Sequence, residues 1–160
     1  MKTKQDIIEY ILAQLREERE QVYKAAMATK EAATHEESKA ENKYDTRGLE
    51  ASYLAGAQAK RTAELDEAIF AYEQLPPRPF DEETPIGIGA IVTLEDEEGS
   101  RLYFFGPKEG GMKIPWQSKQ LTVITPSSPI GRQLPGTQVG DIIEVERPRG
   151  VDELEIIDVQ

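Results

Sequence analysis

A chain of 160 residues with a net charge of −11 and no cysteine excludes several readings at once. Neither disulfides nor a thiolate metal site can hold it together, and its acidic balance does not suit a direct grip on nucleic-acid phosphates, which needs clustered Lys and Arg. No apolar run approaches the roughly 20 residues of a membrane span, and the N-terminus MKTKQDIIEYI lacks the apolar stretch of a signal peptide, so a cytoplasmic location is expected.

The length suits one ordinary domain, or a small domain with an elongated appendage. Residues 1–76 hold 15 acidic and 11 basic side chains and residues 77–160 hold 15 and 8, so any approach to nucleic acid is expected through a partner. The first half contains no proline before Pro76 and only two glycines, Gly48 and Gly56. Ile8, Ile11, Leu15, Val22 and Ala25 follow the three-and-four spacing of a coiled-coil seam. A second stripe runs through Tyr44, Ala51, Leu54, Leu65, Ala68, Tyr72 and Leu75, with polar Arg47, Gln58 and Arg61 between. Two such helices joined by a short turn predict an antiparallel coiled-coil hairpin over residues 1–75, with arms of roughly 45 Å. The segment LPPRPFDEETP follows, and its prolines at 76, 77 and 79 predict a semi-rigid linker over 76–85.

After the linker the period shortens. GAIVTLEDEEGSRLYFFG reads as two strands around an acidic turn, QLTVIT as a third strand, DIIEVERP as a fourth and DELEIIDVQ as a fifth. Between the third and fourth, Ser128-Pro129 reads as the start of one short helix, with serine as cap and proline in the first turn. Residues 86–160 are thus expected to form a small antiparallel sheet with one short helix, and the whole chain to be α+β. GPKEGG at 106–111 lacks the Gly-Lys-Ser/Thr ending of a phosphate loop and reads as a turn. Phe104, Phe105 and Trp116 read as core or sheet-face aromatics rather than a peptide-binding cleft, and His35, the sole histidine, has no partner for a zinc site.

Charge crowds between the two helical stripes. Glu36, Glu37, Glu41 and Asp45 alternate with Lys39, Lys43 and Arg47. A second helix starting near Ser38 would use Ser38 and Glu41 as a capping box, and Glu36 and Glu37 would lie where a helix N-terminus favours negative charge. In a helical segment Glu37, Glu41 and Asp45 also share a face and repel, and a docked cation would relieve that repulsion. Lys39, Lys43 and Arg47 would share another face, able to meet RNA or acidic protein, or else simply offset the acids. The residues alone leave both uses open.

SPIGRQLPGTQVGD resembles, in spacing, the C-terminal signature of bacterial Gre-type transcription elongation factors, with Ser128-Pro129, Leu134, Gly136 and Gly140-Asp141. NKYDTRGLEASYLAG is similar to the start of that family's second coiled-coil arm, with Tyr44-Asp45 and Leu54-x-Gly56 in register. The resemblance spans essentially the whole chain. It implies an FKBP-like C-terminal domain and a monomer that binds RNA polymerase at the secondary channel, meeting the nascent RNA 3′ end only within that complex. It also implies stimulation of the polymerase's own cleavage of backtracked RNA, so that the chain is not itself an enzyme. Glu37 and Glu41 would help hold a Mg²⁺ ion shared with the polymerase active site, with Glu36 and Asp45 in reserve and no cofactor held tightly by the isolated protein. Ser128, Pro129, Ile130 and Leu134 would meet the channel rim, although capping and core packing would also explain them. The tip departs from the family: anchored on Tyr44-Asp45, the Asp of its DLSEN-like motif falls on Glu37 and its Glu falls on Ala40, with Glu41 one residue later. A non-cleaving secondary-channel regulator is therefore the alternative. A peptidyl-prolyl isomerase-like or chaperone module is a further one, since the fold alone does not confer an activity.

Overall fold

The computed structural model describes residues 1–34 and 47–160, with the side chains of 29–30, 32–34 and 47–55 outside the description. Helix α1 runs Lys4–Thr34 and helix α2 Arg47–Glu73. Six strands follow: β1 Ile91–Asp96, β2 Gly99–Phe105, β3 Lys113–Trp116, β4 Lys119–Ile124, β5 Ile142–Arg147 and β6 Gly150–Val159. The chain divides into two compact units, Leu12–Phe70 and a second made of Met1–Ile11 with Ala71–Gln160.

In the unit Leu12–Phe70, Leu15 and Leu65 are fully buried, with Leu12 and Ala68 beside them in the buried set. Val22 is only half-buried and Ala25 is exposed, so the predicted stripe of α1 loses burial after Leu15. Ion pairs join the two helices: Arg19 donates to Asp66 at 2.5 Å, and Arg61 donates to Glu18 at 3.0 Å. All four side chains are a third or more exposed, and pairs so open to solvent add little to stability. They fix the pairing of the helices more than its strength.

In the other unit the chain opens with a cap. Thr3 Oγ1 accepts from the Asp6 N–H, and the Asp6 carboxylate accepts from the backbone of Thr3 and Lys2, satisfying donors that a helix start leaves free. The sheet order is β3-β4-β2-β1-β6-β5. Every pairing is antiparallel except β2 with β4, which run parallel from Leu102↔Leu121 to Phe105↔Ile124. The sheet is therefore mixed, six-stranded and not purely antiparallel, which corrects the expectation on both counts. The cause is β3, whose four residues reverse the chain before β4. Its central Pro115 removes a ladder donor, which an edge strand tolerates.

One face of the sheet packs Val92, Leu94, Phe105, Ile143, Leu154 and Ile156 into a continuous buried cluster with Phe80 and Ile86 from the segment before β1 and Ile130 and Leu134 from the segment before β5. Burying one such aliphatic side chain contributes about 1.5–3 kcal/mol. Phe104, Val123, Leu121 and Ile114 are equally buried but lie outside that cluster, in register with one another on the opposite face. Phe104, Phe105 and Trp116 are core residues, as their sequence context suggested. GPKEGG forms turns, with Glu109 and Gly111 at positive φ (63° and 94°).

The short helix expected at Ser128-Pro129 is absent; residues 126–140 form successive turns. One α-type bond, from the Arg132 N–H to the Ser128 carbonyl, is followed by a tighter one from Gln133 to Ile130. Pro135 stops further winding, because it disfavours helical backbone at Leu134.

Candidate functional site

Of the residues singled out from the sequence, Glu36, Glu37, Lys39, Glu41, Lys43 and Asp45 lie outside the described residues, as do Ser38, Ala40 and His35. Arg47 is the first residue of α2, and its side chain is outside the description. The remaining four, Ser128, Pro129, Ile130 and Leu134, fall in one segment, built as follows.

The Thr125 carbonyl accepts both the Ser128 N–H at 3.0 Å and the Ser128 hydroxyl at 2.8 Å. Ser128 Oγ in turn accepts the Gly131 N–H at 3.0 Å, so the serine does cap a turn. Gly131 is required there, because a Cβ would collide with the Thr125 carbonyl oxygen. Thr125 Oγ1 and Ser127 Oγ are 3.0 Å apart, and Arg132 Nε donates to the Ser127 carbonyl at 3.2 Å. Downstream, Leu134 O accepts the Thr137 N–H and hydroxyl, and Thr137 O accepts the Ile86 N–H. The Gly140 N–H reaches the Ile156 carbonyl at 2.8 Å, and Asp141 O accepts from Ile156 at 2.9 Å. These bonds tie the segment to Ile86, ahead of β1, on one side and to β6 on the other.

Residues 81–84 are themselves pinned. Asp81 Oδ1 accepts from the Thr84 hydroxyl at 2.6 Å and from the Glu83 and Thr84 N–H groups. The Thr84 hydroxyl and then the Glu83 amide hold the Asp81 carboxyl below its ordinary range. Gln138 Nε2 donates to the Glu83 carbonyl at 2.7 Å, tying residues 81–84 to the turns.

Ile130 (8% exposed) and Leu134 (0%) thus serve the core, and Ser128 spends its hydroxyl on the turn. What residues 127–133 offer to solvent is Ser127, Pro129, Arg132 and Gln133. Arg132 went unnoticed in the sequence, and so did the need for Gly131; the Ser-Pro-Ile-Gly run was the available signal. Among the described residues no group of three or more His, Asp or Glu is arranged to hold a metal ion, and no helix is long and apolar enough to cross a membrane.

Two long helices and a mixed six-stranded sheet make this an α+β protein whose Thr125–Asp141 turns are bonded to Glu83, Ile86 and β6. Residues 81–160, which include all of those turns, match the family described as "Transcription elongation factor, GreA/GreB, C-term". The chain is 32% identical over 136 residues to the transcription elongation factor GreA of Xylella fastidiosa, covering 83% of this chain and 79% of the relative. The chain belongs to the GreA/GreB transcription elongation factor family. It is also 28% identical over 155 residues to the transcription inhibitor protein Gfh1 of Thermus aquaticus, covering 93% and 89% of the two chains. Against the crystal structure of Gfh1 from Thermus thermophilus the TM-score is 0.37 at 22% identity, over 93% of this chain and 94% of that one.

Proposed function

We propose that this chain binds RNA polymerase at its secondary channel and stimulates cleavage of backtracked RNA. Family membership across residues 81–160 is the observation that carries the reading. In this reading α1 and α2 are the arms of an antiparallel coiled-coil hairpin spanning 1–75, residues 76–85 are its linker, and 86–160 form an FKBP-like body. The Arg19–Asp66 and Arg61–Glu18 pairs between the helices support the hairpin. The protein acts as a cytoplasmic monomer, without entering a membrane. It meets the nascent RNA 3′ end only inside the polymerase complex, and the polymerase remains the enzyme. The rim of the channel meets the Ser127–Gln133 turns through Pro129 and Arg132, which Ser128, Ile130 and Leu134 hold in place.

Glu37 and Glu41 help hold Mg²⁺ shared with the polymerase active site, with Glu36 and Asp45 in support, and Lys39, Lys43 and Arg47 face RNA or polymerase acids. Carboxylate oxygens are the hard donors Mg²⁺ takes. The ion, when bound, stabilises charge on the oxygens of a phosphodiester under hydrolysis.

A second reading is favoured by two observations. Ala40 stands where the tip of the cleaving members that the sequence resembles usually carries Glu, and the likeness to Thermus aquaticus Gfh1 spans 93% of the chain at 28% identity, against 83% at 32% for Xylella fastidiosa GreA. In that reading the protein docks in the same way but does not support cleavage. A backtracked complex incubated with the chain and Mg²⁺ separates the two. Shortened RNA that disappears with Glu37→Ala and with Glu41→Ala supports cleavage; tight binding with full-length RNA supports the regulator.

A further inference from the structure

The sheet face opposite the main buried cluster changes character along the strand order. Over β1, β2 and β4 it carries buried Ile91, Phe104 and Val123. Over β6 and β5 it carries carboxylates in solvent. Register sets Glu155 between Glu95 on β1 and Ile142 on β5, sets Glu144 directly across from Glu153, and sets Glu146 across from Val151. Ile142 and Val151 are 62% and 56% exposed. Glu95, Glu153, Glu155, Ile142 and Val151 line one open groove, whose margin also holds Arg101, Arg147 and Arg149.

The rim bases do not neutralise the floor. Arg101 is held by Asp96 and Glu98, and Arg147 by Asp152, leaving Arg149 in the β5–β6 turn. Glu95, Glu144, Glu146, Glu153 and Glu155 make neither an ion pair nor a side-chain hydrogen bond among the described residues. Charge on an edge strand is an ordinary guard against strand-to-strand aggregation, and it accounts for Glu144 and Glu146 on β5. It does not account for Glu95, Glu153 and Glu155, which stand on the interior strands β1 and β6. Like charges directly opposite one another destabilise an uncovered sheet, and aliphatic side chains among them stay wet. Both costs vanish under a cationic surface that brings apolar groups of its own.

We propose that the β5–β6 face is a docking surface for a basic protein segment that places aliphatic side chains on Ile142 and Val151 and lysine or arginine among the five glutamates. Nucleic acid is excluded by charge, and the acids are not grouped as a metal cluster. The surface lies across the sheet from the Ser127–Gln133 turns, and its docking does not depend on the cleavage reading.

The test uses the full chain labelled for amide NMR and titrated with a synthetic amphipathic Lys-Leu peptide, with a Glu-Leu peptide as control. The expected result is shifts confined to residues 94–96, 142–146 and 151–155, with no response to the Glu-Leu peptide. Ile142→Ser, which leaves the charge unchanged, weakens binding, and the double variant Glu144→Lys with Glu153→Lys lowers affinity at least tenfold. A double variant at another acidic site, Glu82→Lys with Glu83→Lys, leaves it within twofold. Equal losses from both double variants, or no loss from Ile142→Ser, would mean general attraction to an acidic protein and overturn the proposal. The same shifts from MgCl₂ alone would assign the face to a cation, and self-association abolished by Glu153→Lys would assign it to a second copy; either overturns it.

Discussion

The Tyr72 hydroxyl, near the end of α2, donates to the Lys108 carbonyl at 2.6 Å, in the turn between β2 and β3. The ring is fully buried and passes over Gly106, where a Cβ would collide with the Tyr72 oxygen and sit 3.2 Å from Val123 Cγ1. Gly106→Ala should therefore cost about 1–3 kcal/mol as overpacking. Tyr72→Phe should cost about 1 kcal/mol through the lost hydrogen bond. The double variant should cost less than the sum of the two, because removing the hydroxyl clears most of the collision. Urea denaturation of the four proteins checks this, and strict additivity would refute the contact. Burial, followed by the Glu109 charge, raises the Tyr72 pKa above its ordinary value. The folded chain then keeps a proton that the unfolded chain loses above about pH 10, so this group's contribution falls in that range. The fall should be absent from Tyr72→Phe.

Lys4 provides a second pH signature. Its Nζ donates to the Arg78 carbonyl at 2.6 Å and lies 4.5 Å from the centre of the Phe80 ring, which Arg78 approaches from 4.9 Å. Burial, and secondarily the Arg78 charge, bring its pKa down from 10.5 to about 8. Between these values the unfolded chain binds more protons than the folded one, so stability rises as pH increases through that window. Below it the full cost of the charged amine is present. Stability curves at pH 7.5 and 9.5 should diverge for the natural chain and show less of a rise for Lys4→Met. An unchanged slope in the variant would remove Lys4 as the cause.

The Thr125–Leu134 turns give a local prediction. Ser128→Ala removes both the bond to the Thr125 carbonyl and the acceptor for Gly131, and should cost about 1–2 kcal/mol. Leu134→Ala opens a fully buried site and should cost about 2–5 kcal/mol. Pro129→Ala and Arg132→Ala alter exposed side chains and should leave the urea midpoint nearly unchanged. If the turns meet the polymerase, the second pair of variants should weaken binding while the fold stays intact. Loss of binding only in the variants that lose stability would assign these residues to structure alone.

How much of this was readable in the sequence differs from element to element. Strands β1, β2, β4, β5 and β6 follow from alternation and turn residues, and the helices from an almost unbroken run without proline or glycine. Strand β3 was not legible: KIPW is four residues long, contains a proline and follows a glycine-rich turn. That single omission also produced the wrong sheet class, because without the reversal at β3 nothing predicts that β4 should lie parallel to β2. Ser128-Pro129 signals a turn start correctly, but the signal does not tell how far the turn winds. The answer lay in Gly131 and Pro135, the one pressed on the Thr125 carbonyl and the other six residues after Pro129. The acidic sheet face escaped because its charges come from β1, β5 and β6, and only sheet register brings them together.

Glu144 and Glu153 face each other across the β5–β6 ladder. Glu153→Thr removes the repulsion and adds a β-branched side chain, and it should stabilise the isolated protein by about 0.2–1 kcal/mol. The electrostatic part of the gain should shrink in 1 M salt, where charges separated by more than about 3 Å are screened. Destabilisation by Glu153→Thr at low salt would mean that the glutamate supports the sheet, contrary to the register argument.

The proposed cleavage role places the most weight on position 40. Anchored on Tyr44-Asp45, the Glu that the tip of the resembled cleaving members usually carries falls on Ala40, with Glu41 one residue later. If Glu41 serves as the missing ligand, Ala40→Glu should change cleavage little and Glu41→Ala should abolish it. If the pair is incomplete, the natural chain should bind the polymerase without shortening backtracked RNA. Ala40→Glu should then create the activity, raising the rate by roughly 10-fold or more over background, the scale on which a single supporting group matters to a metal site. The two outcomes are opposite in sign of information: a silent Ala40→Glu with an active natural chain identifies a cleavage factor, and a gain from an inactive one identifies a channel-binding regulator. A chain that remains inactive with Ala40→Glu while still binding polymerase would rule out both arrangements of the tip carboxylates.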